Sequence, residues 1–331
     1  MKKILVIDGN SILNRAFYGI RLLTNKEGLY TNAIYGMITM VSRHMEAVKP
    51  DYCAVAFDLK APTFRHKMYD GYKANRTGMP EELAVQLPYA KECMAAMGIA
   101  VLSKEGYEAD DILGTLALTA NEAGVDACVL TGDRDSLQLI GAHTGVLLAK
   151  TKETVWFDEA QFRSVYGVES SQFVDVKALM GDSSDNIPGV PGIGEKTALK
   201  LISEFGSLER LYETYPESSL SASLKQKLAD GHDKALLSQT LARIDCHVPL
   251  DTSLADYAYH GVEREALRAL FVRLEFGALL KKFGLDGEDA GTAGKEEREI
   301  ALRKLPDDAP EALSCFRDKT VAVACENGRV F

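Results

Sequence analysis

Three short apolar runs punctuate the first half of the chain, and each stops at an acidic residue or just before one. Ile4-Leu5-Val6-Ile7 ends at Asp8, Cys53-Ala54-Val55-Ala56-Phe57 ends at Asp58, and Ala127-Cys128-Val129-Leu130 runs into Thr131-Gly132-Asp133-Arg134-Asp135. Runs this short, with no polar alternation, predict strands buried on both faces, as in a parallel sheet. Between them apolar residues recur at helical spacing over residues 35–48, 82–97 and 110–123. Strand and helix in alternation predict an α/β fold with a parallel-type central sheet over residues 1–171.

The pattern changes near residue 172. Helical spacing alone covers residues 173–180, 196–205, 224–228, 234–244 and 263–276, which predicts an α-helical region over 172–285. Residues 286–303 hold Gly287, Gly291 and Gly294 among acids with few large apolar side chains, the composition of a linker. After it, Thr320-Val321-Ala322-Val323-Ala324 reads as a strand, Glu326-Asn327-Gly328-Arg329 as a hairpin turn and Val330-Phe331 as a second strand cut short. Residues 304–331 are therefore expected to be the truncated start of a further domain of a longer protein.

Composition narrows the class. With 46% apolar and 26% charged residues in 331, the chain can bury the cores of about two compact domains. No apolar run approaches the roughly 20 residues of a membrane span. The four apolar residues after Lys3 fall short of a signal-peptide core of about 7–15, so a cytoplasmic protein with no membrane partner is expected. Six scattered cysteines without a C-x-x-C pair predict reduced thiols rather than a zinc site or disulfides.

Nine carboxylates stand out by position. Asp8 and Asp58 end strands, and Asp133 and Asp135 follow one; in open α/β sheets ligands bind beyond the carboxyl ends of the strands. Glu108, Asp110 and Asp111 open the helix after Tyr107, with Glu108 and Asp111 on one face. Asp182 and Asp185 share the same spacing in Gly181-Asp182-Ser183-Ser184-Asp185-Asn186. A turn, a helix cap or a solvated loop explains any one of them. Gathered together they would repel strongly unless cations joined them, and an all-oxygen set suits Mg²⁺ or Mn²⁺ rather than zinc. Two such ions about 4 Å apart are the usual clamp for phosphodiester hydrolysis.

The net charge of −10, taken alone, argues against nucleic acid. Its distribution reverses that. Residues 286–331 hold 11 acids and 7 bases, leaving −6 for residues 1–285; setting aside the nine candidate site carboxylates leaves +3. From Lys60 to Arg76 five bases (Lys60, Arg65, Lys67, Lys73, Arg76) meet one acid, Asp70, with Phe64, Tyr69 and Tyr72 interleaved. Cations among rings suit a single-strand path, or equally a solvated helix with a few buried rings. Arg15, seven residues after Asp8, is a further candidate phosphate contact.

The stretch Ile187-Pro188-Gly189-Val190-Pro191-Gly192-Ile193-Gly194-Glu195-Lys196-Thr197-Ala198 nearly matches a P-loop, but Glu195 stands where the lysine belongs and no strand precedes it. It fits a helix, a tight hairpin at Gly189, Gly192 and Gly194, and a second helix starting near Glu195. Free N–H groups at that helix start can grip a phosphate backbone without reading sequence.

Four segments together are specific: Tyr107-Glu108-Ala109-Asp110-Asp111, Thr131-Gly132-Asp133-Arg134-Asp135, Tyr72-Lys73-Ala74-Asn75-Arg76, and residues 181–198 throughout. They resemble the 5′-nuclease (flap endonuclease) family found at the N-terminus of bacterial DNA polymerases, over roughly residues 1–285. The resemblance implies a PIN-like core with a helical arch near 60–91, a helix-hairpin-helix module near 173–205, and structure-specific cutting of 5′ flaps and nicked 5′ ends, including RNA-primer removal in DNA replication and repair. It implies two metal ions or three: Asp58, Glu108, Asp110 and Asp111 on one, Asp135, Asp182 and Asp185 on another, Asp133 between, and Asp8 acting through water. Lys73 would reach the scissile phosphate, with Arg15, Arg65, Arg76, Lys196 and Thr197 on DNA and Tyr72 stacking near the 5′ end. The hairpin of such proteins often holds K⁺. A monomer, covalently continuous with polymerase domains, is expected, the segment after the linker resembling the start of a 3′–5′ exonuclease-like domain. The rivals are a PIN-type ribonuclease, which lacks the hairpin, and a non-catalytic DNA-binding module.

Overall fold

The computed structural model describes residues 1–150, 153–287, 325–326 and 329–330. It divides into two units, residues 1–286 and 287–331. In the second, Cys325–Glu326 pairs antiparallel with Arg329–Val330, the hairpin pairing expected around Asn327-Gly328. The strand expected at residues 320–324 and nearly all of the expected linker lie outside the described residues.

The first unit is built on six strands: β1 (Lys3–Asp8), β2 (Tyr52–Ala56), β3 (Ala100–Leu102), β4 (Asp126–Thr131), β5 (Thr144–Ala149) and β6 (Thr154–Phe157). Their order is β3-β2-β1-β4-β5-β6, parallel throughout except β6, which runs antiparallel to β5. Strand β1 is central: Leu5 is in register with Cys53 on one side and Cys128 on the other. Its side chains alternate between two cores, Ile4 and Val6 into one and Leu5 and Ile7 into the other. Both faces are covered, which is why the run carries no polar alternation. The chain leaves β1 toward β2 and β3, then returns to place β4 on the opposite side. A crevice therefore opens at the carboxyl ends of β1 and β4, where the order reverses.

Six helices precede β4: α1 (Gly9–Gly19), α2 (Asn32–Val48), α3 (Phe64–Met68), α4 (Glu81–Ala84), α5 (Leu87–Ala96) and α6 (Ala109–Glu122). Helix α2 starts without a cap of its own. Buried Gln86 supplies one, its Oε1 accepting from the backbone N–H of Ala33 at 2.8 Å. The helical pattern over 82–97 is divided into α4 and α5, with Pro88 in the first turn of α5.

The remaining helices are α7 (Glu159–Tyr166), α8 (Phe173–Met180), α9 (Glu195–Phe205), α10 (Leu208–Thr214), α11 (Ala222–Ala242), α12 (Arg264–Arg273) and α13 (Gly277–Lys282). Two patterns read from sequence as separate helices are one continuous helix, α11. Gly231 lies within it because Val190 packs there: a Cβ at Gly231 would come within 2.6 Å of Val190 Cγ1. Helices α8 and α9 flank the expected hairpin. Gly189 sits against the α8 end so closely that a Cβ would lie 2.4 Å from the Gly181 nitrogen, and its φ is +59°. Among the described residues no helix is long and apolar enough to cross a membrane. Cys53, Cys93, Cys128 and Cys246 are free thiols; burial pushes the Cys128 thiol up to about 12.

Candidate active site

Seven of the nine expected carboxylates line one cavity of about 210 Å³ at the crevice: Asp8, Asp58, Glu108, Asp110, Asp133, Asp135 and Asp185. The fold delivers each by a local rule. Asp8 ends β1 and caps α1, accepting from Ser11 N at 2.9 Å and from Thr131 Oγ1 at 2.7 Å. Asp58, two residues past β2, accepts from Ala109 N at the start of α6 at 2.7 Å. Asp133 caps the 3₁₀ turn Arg134–Leu139 through Asp135 N at 3.0 Å. Asp110 lies in the first turn of α6, near Ser136 Oγ at 3.4 Å.

These four carry no cation: among the described residues no Lys or Arg lies within ion-pair distance of Asp8, Asp58, Asp110 or Asp133. Three of them register the crowding in their titration. Burial, reinforced by Asp58 and Asp133, pushes Asp8 up to about 7 despite its two hydrogen bonds. Burial and the charges of Asp8, Asp133 and Asp58 push Asp110 well above the carboxylate range. Desolvation also raises Asp58, with the Ala109 N–H working against it.

The other five are each paired with a base. Lys73 Nζ stands 2.9 Å from Glu108 and 3.7 Å from Asp185, and Arg76 pairs with Asp185. Lys73 holds a left-handed backbone (φ +56°), pinned by its N–H to the Asp185 carbonyl at 2.9 Å. Asn75 and Asn186 add hydrogen bonds to Ser183 and Gly71, joining the 71–76 turn to the 182–186 loop. Lys177, on α8, lies 2.6 Å from Asp135 and also pairs with Asp182. Burial pushes Asp135 up to about 7 against the pull of Lys177. Burial also works to raise Asp182, but hydrogen bonds from Lys177 and Ser184 outweigh it and hold that carboxyl at about 2.

Asp111 and Asp182 do not line the cavity. Asp111 is fully buried, with both oxygens on the Arg65 guanidinium at 2.8 and 2.7 Å and further bonds from Glu108 N and Asp245 N. Arg65, 2% exposed, also donates to the carbonyls of Leu241 and Arg243. The pair clamps α3, α6 and the end of α11 together, with Arg65 lining the inner wall of the cavity. Tyr72, read from sequence as a stacking ring, is also buried, its hydroxyl on Glu108 at 3.0 Å and its ring against Ile187 and Leu241.

The candidate DNA contacts divide similarly. Arg15 donates to the Gly132 carbonyl at 3.3 Å, and its buried Nε has no hydrogen-bond partner among the described residues. Gly192, Gly194 and Lys196 are exposed at the hairpin, Thr197 is half-buried and Gly189 is buried. Lys227 donates to the Gly192 carbonyl at 3.2 Å. Sequence reasoning missed Lys177; its only signal is a lysine five residues before Asp182 on the helix entering that loop.

Among the described residues no three Asp, Glu, His or Cys side chains already form a metal cage. Lys73, Arg76 and Lys177 stand between several of the carboxylates. The donor set nonetheless fits a hard divalent cation: it is all oxygen, and the burial and mutual repulsion that raise Asp8 and Asp110 are what such an ion offsets.

A family model described as 5′-3′ exonuclease, N-terminal resolvase-like domain, matches residues 3–167, and its companion, 5′-3′ exonuclease, C-terminal SAM fold, matches residues 168–265. DNA polymerase I of Caldicellulosiruptor bescii is 43% identical over 287 residues, covering 86% of this chain and 34% of that protein. DNA polymerase I of Bacillus subtilis is 41% identical over 291 residues, covering 87% and 33%. The chain thus spans about a third of the length of these relatives. Among solved structures, T5 5′-exonuclease with bound zinc aligns with a TM-score of 0.62 at 19% identity, covering 83% of this chain and 99% of that one. The catalytic core of Rad2 in complex with DNA substrate aligns at 0.55 and 15%, covering 82% and 88%. At these identities the likeness is one of fold.

Proposed function

The chain belongs to the 5′–3′ exonuclease family, and on that premise we propose that its acidic cavity hydrolyses phosphodiester bonds at 5′ flaps and nicked 5′ ends of DNA. The observation that carries this reading is the seven-carboxylate cavity at the sheet's switch point, with Lys73 projecting into it. Divalent cations, Mg²⁺ or Mn²⁺, when bound supply an activated water and a clamp on the leaving oxygen. Asp8, Asp58, Asp110 and Asp133 would hold an ion on one side; Glu108, Asp135 and Asp185, with Asp182 behind them, would serve the other.

The protein's own groups do the positioning. Lys73, freed from Glu108 and Asp185, sets its ammonium against the scissile phosphate and offsets the charge that develops there. Arg76 takes an adjacent phosphate. Asp133 also fixes the turn that carries Asp135, by accepting from the Asp135 N–H. Gly192, Gly194, Lys196 and the free N–H groups of α9 grip the duplex backbone without sequence preference. Lys227 already brings an ammonium to the hairpin carbonyl of Gly192, where K⁺ is the competing occupant. Arg65 and Asp111 act in support of α6 rather than on DNA or an ion.

In the whole protein the domain serves a DNA polymerase I acting in replication and repair in the cytoplasm, as a monomer. The test is cleavage of a 5′-flap DNA in Mg²⁺ beside a linear single-stranded RNA. Cutting near the flap junction, abolished by EDTA, with the RNA spared, is expected. Cleavage of the RNA alone, or none of either, would overturn the reading.

A further inference from the structure

We propose that Lys177, behind the rim of the acidic cavity, is a built-in counter-ion for Asp135 and Asp182 and sets the affinity of that half of the site for a divalent cation. This rests on the ion-dependent nuclease reading and adds to it a residue that controls the order in which the two halves fill.

Lys177 is held on a fixed stretch of α8. Its neighbours on α8, Val176, Ala178 and Leu179, are fully buried, so the backbone beneath it is fixed in the core. Its side chain is 6% exposed, and its ammonium bridges two carboxylates from different elements: Asp135, on the turn after β4, and Asp182, in the loop after α8. Asp182 is aimed at this bridge by its other oxygen, which accepts from Ser184 N at 2.7 Å and Ser184 Oγ at 2.6 Å. A buried ammonium with two carboxylates has the charge pattern of an occupied cation site, with lysine as the cation.

The contrast lies a few residues away. Among the described residues Asp8, Asp58, Asp110 and Asp133 have no such partner, so an ion reaching them displaces no side-chain cation. An ion reaching Asp135 and Asp182 must first drive the Lys177 head group aside. Lysine suits this exchange: its charge is compact and its four-carbon stem lets the head swing while the backbone stays put. An arginine at the same place would fork onto both carboxylates and hold them more firmly.

The consequence is sequential filling, the unpaired quartet first and the Lys177 half second. The experiment is Mn²⁺ binding by titration calorimetry, with free Mn²⁺ followed by electron paramagnetic resonance, on the full chain without DNA. Wild type should show one tight class and one weaker class. Lys177→Met should tighten the second class by roughly tenfold or more, the scale of removing one unit charge from a half-buried site, and leave the first unchanged. Lys177→Arg, which keeps the charge and guards against loss of folding in the methionine variant, should weaken the second class severalfold. Lys26→Met, at a lysine side chain 91% exposed, should change neither. A second class unmoved or weakened by Lys177→Met, or unmoved or tightened by Lys177→Arg, would overturn the proposal while leaving the nuclease reading intact. Absence of any Mn²⁺ binding by wild type would instead remove the ion-dependent reading itself.

Discussion

The two halves of the acidic cavity are built on opposite principles. Asp8, Asp58 and Asp133 follow strands and Asp110 opens α6; all four have hydrogen bonds but no cation, and burial and mutual repulsion raise three of them. Glu108, Asp135 and Asp185 line the other half, with Asp111 and Asp182 behind it, and each of these five meets Arg65, Lys73, Arg76 or Lys177. The first half stores unfavourable charge that an added cation or a proton relieves. The second is neutral enough to be stable alone, with Arg65 fixed in the core and the lysines on longer, freer stems. One cavity therefore combines a demand for metal with a supply of positive charge for the substrate.

The sharpest way to break this contrast is to neutralise one acid from each half. Asp110→Asn should lower single-turnover flap cleavage on the order of 10³ or more, the upper end of what one electrostatic group supplies. It should not lower the melting temperature in EDTA, because it removes repulsion. Asp111→Asn should do the reverse. It leaves the Arg65 guanidinium buried without its charge, a loss of roughly 3–5 kcal/mol in stability by denaturant titration. If Asp111→Asn melts like wild type and loses only cleavage, Asp111 belongs with the ion-binding acids after all.

Within the paired half, Lys73 and Lys67 separate chemistry from binding. Lys73→Ala should lose about 10² in single-turnover rate while flap affinity, titrated in Ca²⁺, changes only severalfold. Lys67, exposed on α3, should show the opposite balance, with the salt slope of binding reduced by about one. Equal losses of rate and affinity in both variants would make Lys73 an ordinary binding charge. The smallest effect is expected at Arg76, whose pair with Asp185 is half-exposed: Arg76→Met should change stability by less than about 1 kcal/mol, measured by the same denaturant titration.

The difference between the halves also marks what sequence can carry. The strand-end acids are visible in it because an apolar run that stops at an aspartate states both the strand and its end. The hairpin is visible because Gly189, Gly192 and Gly194 punctuate two helical patterns. The pairing of bases with acids is not visible. Arg65 and Asp111 are 46 residues apart, and nothing in the basic stretch distinguishes Arg65, buried and structural, from Lys67, exposed beside it. Tyr72 likewise reads as a stacking ring until the core around it is built. Strands β3, β5 and β6 are not read from the sequence because none of these short segments runs into an acid that belongs to the candidate site, and α11 reads as two helices because the Val190 contact that accommodates Gly231 comes from another element.

The most direct test of the division is thermal melting of wild type and Asp110→Asn in EDTA and in millimolar Mn²⁺. A cation that binds only the folded chain raises its stability. Wild type should melt several degrees higher with Mn²⁺, and Asp110→Asn should melt at or above wild type in EDTA with little further gain from the ion. Equal melting of wild type in EDTA and Mn²⁺, or an undiminished shift in Asp110→Asn, would contradict the claim that the unpaired quartet is the ion-demanding half.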